Sequence, residues 1–191
     1  MSLVISNLGK RFGDKPLFEG LSFTADGPVV VQARSGWGKT TLLRIVMGLE
    51  SADSGIVAGA GRIGAVFQED RLCPQLSAVQ NVELAAPGVS REEILRGFAR
   101  LGMGREALSL PAARLSGGQK RRAALLRALY APADTLLFDE PFTGLDPAAV
   151  EQAAALLAER CAGKPALIAT HDRVAVELLG WPVLELETHV K

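Results

Sequence analysis

Nine consecutive residues, Ala33-Arg34-Ser35-Gly36-Trp37-Gly38-Lys39-Thr40-Thr41, are of types that could hold a triphosphate. They come close to the phosphate loop, G-x-x-x-x-G-K-[ST]. Phosphate oxygens need many donors at close range. Small residues let the backbone curl so that successive N–H groups point inward as an anion nest. A helix starting near Lys39 adds its positive dipole end. Lys39 would reach the β- and γ-phosphates, and Thr40 would ligate Mg²⁺. Two positions depart from the pattern. Ala33 stands where the first glycine belongs, and a left-handed backbone there would cost about 1 kcal/mol. Trp37 puts a large indole where a small residue is expected, either to stack over a nucleotide, to shield its phosphates or to lie on the surface.

A second group is Leu136-Leu137-Phe138-Asp139-Glu140-Pro141, an apolar run ending in two acids. Mg²⁺ prefers oxygen ligands and keeps several waters, so Asp139 could hold the metal's water shell. Its neighbour Glu140 could polarise an attacking water. A third group, Leu115-Ser116-Gly117-Gly118-Gln119, opens a helix. Ser116, Gly117 and Gly118 offer a hydroxyl, N–H groups outside the helical ladder and a dipole end, which together make an anion site. One nucleotide has one γ-phosphate, and Lys39 already serves it. A second anion site therefore points to another subunit's nucleotide. Taken singly, each group also reads as ordinary structure: a strand–turn–helix corner, a capped strand, a flexible N-cap turn.

These groups need elements to position them. Residues 3–6, 21–24 and 28–33 read as strands, the last rich in β-branched residues. Residues 39–48 are helical, with Leu42, Leu43, Val46 and Met47 on one face and Gly48 as terminator. Residues 54–67 read as two short strands around Gly59-Ala60-Gly61. Helical patterns follow at 79–86, 91–101 and 117–131, separated by Pro87, Gly88 and Pro111. Strand patterns return at 134–138, 166–170 and 182–186, alternating with helices at 147–160 and 172–179. Such alternation predicts a mostly parallel sheet, with ligands at the carboxyl ends of its strands. Ser35, Asp139 and His171 all fall at such ends.

Bulk composition sets the outer limits. The 191 residues are 48% hydrophobic, enough for a packed core of one domain. Lys plus Arg (21) balance Asp plus Glu (21), which argues against general affinity for nucleic acid. No apolar run approaches the roughly 18–20 residues of a bilayer span, and no signal peptide is visible. Any membrane role would then run through a partner. Cys73 and Cys161 are isolated, which predicts free thiols rather than a disulfide or metal site.

With all three groups on one chain, the sequence resembles the ATP-binding subunits of ABC transporters. Leu115-Ser116-Gly117-Gly118-Gln119 matches that family's signature without a mismatch, and the resemblance covers essentially the whole chain. It implies an α/β P-loop NTPase: a mostly parallel RecA-like core (1–67 and 134–191), an antiparallel β subdomain and a small helical lobe (69–131) carrying the signature. It implies roles for four further residues. Phe12 sits where the family has an aromatic that stacks on adenine. Gln68, in Val66-Phe67-Gln68-Glu69-Asp70, matches the loop that touches Mg²⁺ and the attacking water. Asp146 matches the loop at the dimer seam, and His171 the switch histidine that contacts the γ-phosphate.

The implied machine is a head-to-tail dimer, homomeric or heteromeric. Each ATP lies between one protomer's phosphate loop and the other's Ser116 region. Closure on Mg-ATP would drive a membrane permease from the cytoplasmic face. The segment around Gln68 and Asn81-Val82 looks most like bacterial importers, which also use a solute-binding protein. Gln68 and Ser116 are only 48 positions apart (116 − 68), so the lobe is short for the family, and the chain ends soon after its last strand. Two rival readings carry different expectations. Ala33 and Trp37 fit a degenerate subunit that binds ATP without turning it over. A soluble ABC-type ATPase acting on DNA or ribosomes would carry insertions that this chain lacks.

Overall fold

The computed structural model describes residues 2–34 and 36–186. Ser35 lies outside the described residues. The unbroken apolar runs at 29–31 and 136–138 have the pattern of strands covered on both faces. Strands β1 (Leu3–Phe12), β2 (Lys15–Ala25) and β4 (Ser54–Ala58) form an antiparallel sheet, ordered β2-β1-β4. Strands β3 (Pro28–Gln32), β5 (Ile63–Val66), β6 (Thr135–Asp139), β7 (Ala166–Ala169) and β8 (Val183–Glu185) form a second, wholly parallel sheet, ordered β5-β6-β7-β3-β8.

Successive side chains of the parallel strands feed two cores, as the two-residue strand period requires. Val30, Leu136, Phe138, Ala166 and Ile168 pack with helices α2 (Ala78–Ala85), α3 (Arg91–Arg100), α5 (Gly117–Tyr130), α6 (Pro147–Arg160) and α7 (Arg173–Leu179). Val31, Leu137, Leu167 and Ala169 pack on the other side with α1 (Lys39–Val46) and with Leu3, Ile5, Leu8, Phe18 and Leu21 of the antiparallel sheet. Helix α1 therefore covers one face while α6 and α7 cover the other. That change of side at β3 opens a crevice at the carboxyl ends of the strands.

The expected elements differ from the observed ones where local chemistry hides a strand. β1 runs on to Phe12 and β2 begins at Lys15, well beyond residues 3–6 and 21–24. The pairing shifts register after Ile5 and Leu8, and Asn7 takes a left-handed backbone there (φ 49°). Such a bulge breaks the alternation on which a strand reading rests. The two strands of residues 54–67 join different sheets: β4 pairs with β1 and β5 with β6. A short helix α4 (Arg105–Ser109) and a single 3₁₀ turn at Ala112–Arg114 lie where no element was expected.

Side chains tie the helices to each other and to the loops. Asn81, almost fully buried, accepts from the Cys73 N–H and donates to the carbonyls of Cys73, Leu76 and Ser77. It satisfies backbone groups that a loop would otherwise leave unpaired. Arg100 grips Glu159 with two nitrogens, at 3.1 and 2.7 Å, and Arg160 reaches Glu93 at 3.2 Å while stacking over Tyr130. These contacts link α3 to α6, although half-exposed pairs of this kind contribute little stability each.

Both cysteines are free, Cys73 exposed and Cys161 buried. Burial pushes the Cys161 thiol up to about 12, so it stays protonated and unreactive. In the folded protein iodoacetamide is expected to label Cys73 alone. Mass spectrometry should then find the second label only after denaturation.

Candidate active site

The crevice at the carboxyl edge of the parallel sheet gathers the chemical residues. β3 delivers the phosphate loop. Gly36 (φ 79°) and Gly38 (φ 90°) take left-handed backbone as the loop turns into α1. A Cβ on Gly38 would stand 2.7 Å from the Phe18 ring and 2.8 Å from Leu17, so only glycine fits. The Lys39 ammonium donates to the Ala33 carbonyl at 2.8 Å and to the Arg34 carbonyl at 3.4 Å, which holds it over the mouth of the loop. Ala33 itself is not among the residues with left-handed backbone, so its missing glycine carries no strain.

β6 brings Asp139 and Glu140 to the same edge. Asp139 is buried. Burial raises its carboxyl above the ordinary range, and the charge of Glu140 adds to that. A hydrogen bond with Thr40 and the charges of Lys39 and Arg121 pull the other way. Glu140 has φ 49° and donates its N–H to the Ala169 carbonyl, which fixes it to the end of β7. Its Oε2 lies 2.9 Å from His171 Nδ1 and also accepts from the His171 N–H at 3.4 Å. Asp172, the obvious neighbour for that histidine, instead caps α7 by accepting from the Ala175 N–H.

A cavity of about 340 Å³ is lined by Phe12, Leu17, Gly36, Gly38, Lys39, Thr40, Thr41, Gln68, Asp139 and Glu140. Phe12, 54% exposed, forms one wall, and Lys10 stacks on its ring at 5.0 Å. Thr40, Gln68 and Asp139 also line an adjoining cavity of about 220 Å³. Trp37 does not line either of these. It walls a separate cavity of about 240 Å³ with Lys15, Pro16, Leu17 and Gly36. The phosphate loop, the acid pair, Gln68 and Phe12 therefore meet in one place, with His171 attached through Glu140.

Thr40, Asp139 and Gln68 supply only hard oxygen donors. No group of three or more His, Cys, Asp or Glu side chains able to hold a metal occurs among the described residues. One carboxylate with a hydroxyl and an amide fits Mg²⁺ shared with a substrate's phosphates, not an all-protein metal cage.

The signature residues stand elsewhere, and none of Ser116, Gly117, Gly118 and Gln119 lines the 340 Å³ cavity. The Ser116 oxygen accepts from the Gln119 N–H, while the Gln119 side chain accepts from the Ser116 N–H. This reciprocal cap fixes the start of α5 and leaves the serine proton for another acceptor. Gly118 packs on residue 144, where a Cβ would meet the Gly144 carbonyl at 2.9 Å. Arg122 on the same helix lies 3.8 Å from Asp146, which caps α6.

Arg121 and Arg127 also bear on the site, though no motif contains them. Arg121 donates to the carbonyls of Phe67 and Gln68, and Arg127 to those of Asp70 and Arg71. The helical period held a signal, because Arg121 shares a stripe with buried Leu125 and Ala128.

A family profile described as ABC transporter matches residues 21–143, and the chain belongs to that family. It is similar to an aliphatic sulfonates import ATP-binding protein (SsuB 1) of Paraburkholderia xenovorans, at 38% identity over 97% of this chain and 57% of the relative. A protein of the same description from Nocardia farcinica is 41% identical over 76% of this chain and 61% of the relative. The chain thus spans somewhat more than half the length of the curated relatives it matches. Among solved structures, the ATP-binding cassette MJ0796, a dimer in a post-hydrolysis state bound to ADP and Pi, aligns with TM-score 0.81 at 24% identity, covering 96% of this chain and 94% of that one. An ATP-binding protein of a putative ABC transporter from Pyrococcus furiosus aligns with TM-score 0.82 at 20% identity over the whole of both chains. The fold is that of a P-loop NTPase, with a parallel core, an antiparallel sheet and helices.

Proposed function

We propose that the chain is the ATP-binding and ATP-hydrolysing subunit of a transporter. It works as a head-to-tail dimer and drives a separate membrane permease. The observation that carries this reading is the single cavity lined by Lys39, Thr40, Gln68, Asp139 and Glu140. Phosphate-binding and water-activating groups share that space, while a second anion-binding helix start at Ser116 lies outside it.

In this reading Lys39 and the loop residues 33–41 bind the triphosphate, with Phe12 beside the base. Thr40, Gln68 and, through water, Asp139 would hold Mg²⁺, which shields phosphate charge when bound. Glu140 orients the attacking water and takes its proton at a carboxylate oxygen. His171 steadies that carboxylate at 2.9 Å and faces the γ-phosphate. Ser116, Gly117, Gly118 and Gln119 serve the partner's nucleotide, with Asp146 at the seam. The γ-phosphate then joins two sites that each attract an anion, which supplies the closing force. The core of residues 1–67 and 134–191 and the lobe of residues 69–131 would move against each other during closure.

No described helix is long and apolar enough to cross a membrane, so the span would come from the permease. The chain would then sit at the cytoplasmic face of the membrane. The sulfonate-import relatives favour import, and with it a solute-binding protein; nucleic acid has no part in this scheme. An Ala33 without left-handed backbone and a Trp37 outside the central cavity weigh against a degenerate subunit.

The test is ATP turnover by the purified chain with Mg²⁺ and with excess chelator. Turnover that needs Mg²⁺ supports the reading, and a chain that binds ATP without any turnover sinks it. Gly118→Val probes the signature together with the turn at Gly144 on which it packs. The added side chain must displace the Gly144 carbonyl. Combined with Glu140→Gln, which stalls hydrolysis, the variant is expected to bind ATP within about twofold of the Glu140→Gln chain but to form no ATP-dependent dimer, as read by light scattering.

A further inference from the structure

Four of the five carbonyls in residues 67–71 accept hydrogen bonds from one helix. Arg121 Nη1 and Nη2 reach Phe67 and Gln68 at 2.7 and 2.6 Å. Arg127 Nη1 and Nη2 reach Arg71 and Asp70 at 2.7 and 3.1 Å. Arg121 Nε also lies 3.3 Å from the Asp70 carboxylate, and its side chain is only 7% exposed. Bonds from a buried guanidinium are short, strong and hard to replace with water. The segment they hold has little regular structure of its own, and Gln68 is the second residue after the end of β5.

We propose that Arg121 is a positioning residue for Gln68, locking that loop to the signature helix so that the two move as one body. The proposal rests on the function assigned above. Gln68 serves the protomer's own nucleotide, whereas Ser116, at the start of the same helix, serves the partner's. A shift of α5 at one nucleotide is then carried through about one and a half turns of helix to the glutamine at the other. Arg121 touches no substrate; it acts by holding two successive peptide carbonyls where the Gln68 amide must point. Asp70 keeps the buried guanidinium paired and facing the loop.

Arg121→Gln is expected to lower kcat about tenfold, because small misplacement of a positioning group is costly. The Mg²⁺ concentration for half-maximal turnover should rise about tenfold, while ATP affinity stays within about twofold. In a Gln68→Ala background the same substitution should cost less than about twofold, because the group it positions is already gone. Equal losses in both backgrounds overturn the proposal. The clamp is also read without catalysis, by amide hydrogen exchange at residues 68–71. Exchange there is expected to speed up about tenfold in Arg121→Gln, with helices α1 and α6 unchanged. Unaltered exchange refutes the clamp whatever the turnover, whereas a wild-type chain without turnover refutes only the assigned function. If Arg121→Gln does not fold, Arg121→Lys decides, since one ammonium cannot span both carbonyls; wild-type exchange in that variant overturns the proposal.

Discussion

Replacing Glu140 with Gln is expected to lower ATP turnover about a thousandfold while leaving ATP binding intact, the span of a lost general base. The variant should also double its mass in solution when Mg-ATP is added. The substitution is nearly isosteric. It keeps the backbone, whose N–H bonds the Ala169 carbonyl, and keeps a carbonyl oxygen facing His171. What disappears is the negative charge proposed to take the water's proton. The phosphate loop and Ser116 are untouched, so under the proposed scheme a bound nucleotide still bridges two protomers and has no route to hydrolysis. Phosphate release and light scattering read the two effects separately. Undiminished turnover would remove Glu140 from the reaction. A monomer that still binds ATP would mean that closure requires the permease or a different partner chain.

Lys39→Ala is expected to weaken ATP binding about a hundredfold, the scale of removing charge-assisted hydrogen bonds to phosphate oxygens. The ammonium is held at the loop's mouth by the Ala33 and Arg34 carbonyls, and alanine leaves nothing in its place. Thermal unfolding gives a direct readout. At an ATP concentration of about 100 Kd the wild type gains about 2.7 kcal/mol, while a variant binding a hundredfold more weakly gains about 0.4 kcal/mol. For a domain of this size the corresponding shifts in Tm are about 5–10 °C and about 1 °C. An equal shift in both proteins would show that Lys39 is no part of the nucleotide site. Because the side chain is only partly buried and stands in the first turn of α1, the variant without ATP should melt close to the wild type.

The most legible parts of the sequence were those where one physical demand fixes the residue type. A parallel strand covered on both faces must be apolar throughout, and residues 29–31, 136–138 and 166–169 announced themselves that way. Helix α6 declared both ends, with Asp146 and Pro147 at the start and Arg160 at the finish. The phosphate loop and the acid pair were legible because anion and metal chemistry restricts their residues to a few kinds. The long β1–β2 hairpin was not, because its bulges at Asn7 and Gly9 interrupt the alternation. Nor was the pairing of His171, which the sheet brings alongside Glu140 and not its chain neighbour Asp172. Arg121 and Arg127 were hidden for a related reason. Their partners are carbonyl oxygens more than fifty residues away, and backbone acceptors leave no mark on residue type.

Among the described residues only Asn7, Arg71 and Glu140 take a left-handed backbone without being glycine. For a glutamate this conformation costs about 1 kcal/mol that glycine or asparagine would largely avoid. A more stable protein is thus one codon change away, and under the role proposed for Glu140 it is expected to lose turnover. Directed evolution that screens this chain for heat resistance alone has an easy path into that dead end, whereas a screen that also scores turnover keeps the strained glutamate.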